Sequence, residues 1–202
     1  MLVIGLTGGI ASGKSTTASM IRDRGIPLHD ADAAVHAMMA PGGPAVAEVL
    51  AVFGEEVAAA DGGIDRQRLG GLVFAASPRR AALEAILHPL VAAGRDRFLA
   101  DQRAAGAPMV VLDVPLLFET GGEAFCDFTI LCAVDPDIQR ARALQRPGMT
   151  EEKLDAILAS QMPLAEKRKL ADSVIDTGKG MAVARAALEA ILDGPVAAMV
   201  TG

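Results

Sequence analysis

At 202 residues the chain has room for one domain with a sizeable core, and its net charge of −6 argues against a broad nonspecific nucleic-acid footprint while leaving small anionic ligands open. Apolar residues make up 51% of it but aromatics only 3%, with no Trp or Tyr, so the core must be built from Leu, Ile, Val and Met. Base-stacking platforms for single-stranded nucleic acid are hard to assemble from such a composition. No apolar run approaches the roughly eighteen residues of a membrane span. The N-terminus carries no cationic leader, so no membrane partner or signal peptide is expected, and the expected location is a reducing cytoplasm.

The first element is a short apolar run, Leu2-Val3-Ile4-Gly5-Leu6, of the kind that forms a strand buried on both faces. It leads into a glycine-rich loop and a helical pattern from Lys14 to Arg24. Ile26-Pro27-Leu28-His29 is a weaker strand. Residues 33–105 carry helical signals without a convincing strand, including helices over Pro78–Leu87 and Pro89–Ala104. Pro41-Gly42-Gly43-Pro44 and Asp61-Gly62-Gly63 punctuate that region as turns. Strands recur at Met109–Leu112, at Thr129–Val134 and, more weakly, at Ser173–Asp176. Helices are expected over Pro136–Gln145 and Met181–Leu192, and the tail from Pro195 to Gly202 is expected to fray. Between them, Gln139–Lys169 is rich in Arg and Lys, with Thr150 before Glu151 and Glu152 reading as an N-cap. Strands spaced by helices imply an α/β fold with a parallel sheet. Cys126 and Cys132 make neither a disulfide framework nor a zinc site and read as small hydrophobes.

Gly8-Gly9-Ile10-Ala11-Ser12-Gly13-Lys14-Ser15 fits the pattern G-x-x-x-x-G-K-S/T without a mismatch, and Thr16 continues it into the helix. Glycines let the backbone curl so that successive N–H groups face phosphate oxygens, and the helix opening there adds its dipole. Lys14 is placed to reach the terminal phosphates of ATP and the Ser15 hydroxyl to ligate Mg²⁺. The loop reads as a phosphate binder.

A switch protein normally adds an N-K-x-D segment. The nearest approach, Glu152-Lys153-Leu154-Asp155, has the wrong first residue and lies in a helical pattern, which favours a small-molecule kinase. Asp30 and Asp32 follow the second strand, where a carboxylate either accepts a proton from an attacking hydroxyl or caps the next helix. The residues alone leave both roles open. His36 is equally readable as a helix-surface residue, and His88-Pro89 as a helix start. Asp113 ends a strand, as a metal-assisting carboxylate or as an ordinary polar strand end. Arg142 and Arg146 fall one turn apart on the expected helix, as solvated charges or as cations aimed at migrating phosphate.

"GLTGGIASGKS", "DADAAVH", "LHP", "VPLLFE", "QRARALQR" and "ADSVIDTG" occur in this order from end to end. In this the chain resembles the dephospho-CoA kinases. The resemblance implies a single P-loop kinase domain over residues 1–202, with a five-stranded parallel sheet in the order 2-3-1-4-5. It implies a helical acceptor-binding region over about 33–105 and a lid over about 139–169. It further implies ATP and Mg²⁺, with dephospho-CoA as acceptor of a phosphoryl group on its ribose 3′-hydroxyl. Another small metabolite or nucleotide is the alternative acceptor. By resemblance Asp32 is the base, Lys14, Arg142 and Arg146 stabilise transferred charge, and Ser15 and Asp113 hold the metal. His36, His88, Leu116, Leu117 and Glu119 lie by the acceptor. Two positions depart from the family pattern: Ala11 stands where Gly is usual, tolerable if no positive φ is needed there, and Thr177 where Asn is frequent, near the expected adenine border.

Overall fold

Apolar β-branched runs become strands, and the amphipathic stretches between them become helices. The computed structural model describes residues 1–74 and 77–201. The elements begin with β1 (Leu2–Thr7), α1 (Lys14–Asp23), β2 (Leu28–Asp30), α2 (Ala31–Met38), α3 (Val46–Phe53), α4 (Arg66–Phe74) and α5 (Ser77–Ala104). They continue with β3 (Met109–Asp113), β4 (Phe128–Ala133), α6 (Pro136–Leu144), α7 (Glu151–Ser160) and α8 (Leu164–Leu170). β5 (Ser173–Asp176), α9 (Met181–Ile191) and α10 (Ala197–Thr201) complete the chain. Two compact units result, residues 1–29 with 102–202, and residues 30–101.

The first unit is organised by a five-stranded sheet in the order β2-β3-β1-β4-β5, as the family resemblance implies. β1 runs parallel to β3 from Leu2 beside Met109 to Leu6 beside Asp113, and parallel to β4 from Ile4 beside Phe128 to Thr7 beside Leu131. β4 in turn runs parallel to β5. All residues of β1 and β4 are buried, the pattern of strands covered on both faces. Ile4, Leu6, Ile21, Ile130 and Leu188 form the centre of this core. Burying each such side chain contributes about 1.5–3 kcal/mol.

The chain end differs from expectation. Pro195 lies inside a π-helical turn over Leu192–Val196, and α10 follows it, while Gly202 lies outside the described residues. Leu192 and Val196 are buried in the core of the first unit, so apolar packing holds the tail that composition alone would let fray.

The second unit is helical and has its own core, built around Met38, Val49, Phe53, Val57, Leu69 and Ile86. Pro89 does not open a helix as expected. It lies inside α5, a single helix of 28 residues. Apolar residues on both sides of it, Leu83, Ile86, Leu90 and Val91, pack into the same cluster, and that packing carries the helix past the hydrogen bond that proline cannot donate.

Candidate active site

Register fixes the first part of the site. Leu6 of β1 lies beside Asp113 of β3, and Val114 N–H donates to the Leu6 carbonyl at 2.9 Å. The glycine loop therefore leaves β1 next to the carboxylate that ends β3, where the chain passes between neighbours on either side. Across this gap Lys14 Nζ lies 2.5 Å from Asp113 Oδ1, with the Asp113 side chain only 3% exposed.

Gly13 ends the loop at φ 85, in the left-handed region, and a Cβ there would lie 3.0 Å from Thr177. Ser12 N–H donates to the Gly9 carbonyl at 3.2 Å, closing the turn between them. No side chain caps α1 and its first turn holds no acid, so the N–H groups at its head stay available to an anion. Ser15 and Thr16 are exposed there. Ala11 has φ 56, the one positive value outside glycine among the described residues. The family's usual Gly therefore meets a real conformational demand at this position, and Ala11 carries the cost, about 1–2 kcal/mol for such a residue.

Thr177 joins three elements. Its hydroxyl donates to the Ser12 carbonyl at 2.7 Å, its N–H to Ala133 at 2.9 Å, and its own carbonyl accepts Arg142 Nη2 at 3.0 Å. Arg142 is thus held beside the loop. Arg146 is not on the helix with it: α6 ends at Leu144, and Arg146 is exposed in the turn that follows. The Pro147-Gly148 pair stops the helix before a further turn can form. A cavity of about 570 Å³ opens nearby, lined among others by Val134, Pro136, Ile138, Arg168 and Gly178.

Leu116 is exposed, whereas Leu117 is buried. Glu119 Oε1 accepts Met162 N–H at 2.9 Å and pairs with Lys167 Nζ at 2.7 Å. Lys167 reads from sequence as lid framework on the surface, yet only 2% of its side chain is exposed. Arg140 likewise reads as framework and bridges α6 to α7 through Glu151 and Asp155. Cys132 is buried with its thiol 3.3 Å from the Thr17 hydroxyl, and burial pushes that thiol up to about 11. Cys126 is half-buried.

Asp32, His36 and His88 belong to the helical unit, and all three are exposed. Asp30 ends β2, and Asp32 lies in the first turn of α2. Asp30 caps the helix, accepting Ala33 N–H at 3.0 Å, which leaves Asp32 without the capping role in its first turn. Ser15 and Asp113 offer hydroxyl and carboxylate oxygens, hard donors that suit Mg²⁺. Among the described residues no cluster of three or more His, Cys, Asp or Glu could hold a metal alone.

The dephospho-CoA kinase family model matches residues 2–182. The chain belongs to that family. It is 51% identical over 193 residues to the dephospho-CoA kinase of Mesorhizobium japonicum, covering 96% of each chain. To that of Rhodopseudomonas palustris it is 49% identical over 194 residues, covering 96% and 95%. A Thermus thermophilus crystal structure superposes with a TM-score of 0.75 at 34% identity, over 96% of this chain and 97% of that one. The dephospho-CoA kinase of Campylobacter jejuni shares the fold, with a TM-score of 0.72 at 24% identity over 95% of both. Among family-like features, the Walker-type loop, the strand-end carboxylate and the arginine on α6 are readable from sequence. Gln139 and Gln161, which both bond to the loop, and the structural use of Thr177 are not.

Proposed function

We propose that this chain carries out its family's reaction, transfer of the ATP γ-phosphoryl group to the ribose 3′-hydroxyl of dephospho-CoA, completing coenzyme A. One observation above all supports it: a glycine loop at the uncapped head of α1 holds Lys14 against the carboxylate that ends the neighbouring strand. The loop amides and Lys14 bind the phosphates, and the cavity beside Gly178 accepts the nucleoside end. Ser15 and Asp113 hold Mg²⁺, which neutralises charge on the transferring group. Arg142, with Arg146 delivered by the lid region 139–169, stabilises the charge that spreads over that group. Asp32 orients the acceptor hydroxyl and takes its proton, with His36, His88, Leu116, Leu117 and Glu119 around the acceptor within a domain whose residues 33–105 bind it.

The deciding measurement is incubation with Mg-ATP and dephospho-CoA, with mass detection of the added phosphate. Asp32→Asn should retain ATP binding and lose about a hundredfold to ten-thousandfold in turnover. Turnover within a few-fold of the parent removes Asp32 as the base. ADP release with another metabolite, and none with dephospho-CoA, moves the acceptor to that metabolite.

A further inference from the structure

Two glutamines far apart in sequence meet on one residue of the glycine loop. Gln139 Nε2 donates to the Ile10 carbonyl at 2.7 Å, and Ile10 N–H donates to Gln161 Oε1 at 3.2 Å. Both glutamines are half-buried. They cross directly over Gly9, where a Cβ would come within 2.9 Å of Gln161 Oε1 and 3.0 Å of Gln139 Nε2. Gly9 is therefore the opening through which both amides reach the backbone.

The geometry of a trans peptide gives these contacts a direction. Its carbonyl and N–H point to opposite sides. With the Ile10 carbonyl held by Gln139, the Ala11 N–H of the same peptide is turned the other way, and the backbone bends directly after it at Ala11, whose φ is 56. Gln161 meanwhile satisfies the Ile10 N–H on its own side. Each glutamine is itself fixed. Gln139 lies in the first turn of α6, its N–H bonded to the Asp135 carbonyl at 2.8 Å. Gln161 ends α7, and the next residue, Met162, is tied by its N–H to Glu119, which also pairs with the buried Lys167.

We propose that Gln139 and Gln161 are positioning residues that clamp the Ile10 peptides and so set the glycine loop for the triphosphate. This rests on the reading of the loop as an ATP site. Because Gln161 closes α7, the clamp ties the loop to the anchored turn between α7 and α8. Neither glutamine needs to touch the nucleotide.

The test uses Gln139→Met and Gln161→Met, which keep side-chain length and add no charge, singly and together in the full chain. Binding of Mg-ATP and of dephospho-CoA is measured by calorimetry beside the melting temperature. Each single variant should weaken ATP about three- to tenfold, the loss of one hydrogen bond. The double variant should weaken it by less than the product of the two, since both amides hold one residue. Dephospho-CoA affinity should stay at the parental value, and the melting temperature should fall by only the few degrees that two lost hydrogen bonds cost. A double variant within twofold of the parent for ATP overturns the clamp alone. Equal losses in both ligands also overturn it, in favour of a merely structural role. A parent protein that takes up no ATP overturns the clamp and the reading of the loop alike.

Discussion

Ala11 shows how a single methyl group acts on the loop. Its φ of 56 lies where a Cβ crowds the following carbonyl, and glycine would occupy the same region without that crowding. Ala11→Gly should therefore raise stability by about 1 kcal/mol, less whatever entropy the freer unfolded chain regains. Urea denaturation measures this, and a fall in the midpoint would show that the loop tolerates the methyl group without strain. At this scale the sequence was informative wherever partners are near in the chain: the loop is contiguous, and the Asp30 cap lies three residues from Ala33. The clamp was out of reach for the opposite reason. Gln139 and Gln161 stand 129 and 151 positions from Ile10, and a half-buried glutamine in a charged helical stretch carries no pattern that separates it from solvated framework.

Among the elements, α8 depends on one unusual side chain. Lys167 is enclosed with Glu119 as its partner, and a buried pair broken on one side costs about 3–5 kcal/mol because the other charge stays uncompensated. Lys167→Ala should lose stability in that range by urea denaturation. Adding Glu119→Gln, which removes the stranded charge while keeping an oxygen for the Met162 N–H, should recover much of it; failure to do so would locate the cost in lost packing. The strands and the helices α1, α6 and α9 were legible to within a residue or two, because continuous apolar runs and amphipathic stretches have different periods. α5 was not, since Pro89 reads as a break and only the cluster beneath it shows why the helix continues. Arg146 erred in the other direction, assigned to a helix that stops at Leu144.

Over the whole molecule, three carboxylates share an acid-sensitive contribution. The Gly178 N–H holds Asp176 below the usual carboxylate range, the Thr150 hydroxyl does the same for Glu152, and the Arg24 guanidinium for Asp193. A carboxylate lowered by folding favours the folded state above its unfolded value, about 4, and that contribution fades as the pH falls through the folded value. These groups are exposed, so the slope should be shallow. Thermal unfolding from pH 7 to pH 3 should show stability declining below about pH 4, and a stability that rises there would contradict the assignment. The sheet order is the feature of this scale that the family resemblance made available; alternating strands and helices alone fix a parallel sheet but not which strands are neighbours.

The thiol of Cys132, sealed beneath α1 against Thr17, makes a natural clock in a protein that has neither Trp nor Tyr to fluoresce. With the half-buried Cys126 replaced in a Cys126→Ser variant, a maleimide-type reagent labels Cys132 when that helix lifts from β4, so the labelling rate at fixed pH counts those openings. Saturating ATP should slow the clock, since a ligand seated at the helix head penalises every lift. A rate indifferent to ATP would mean that the reagent enters by another route.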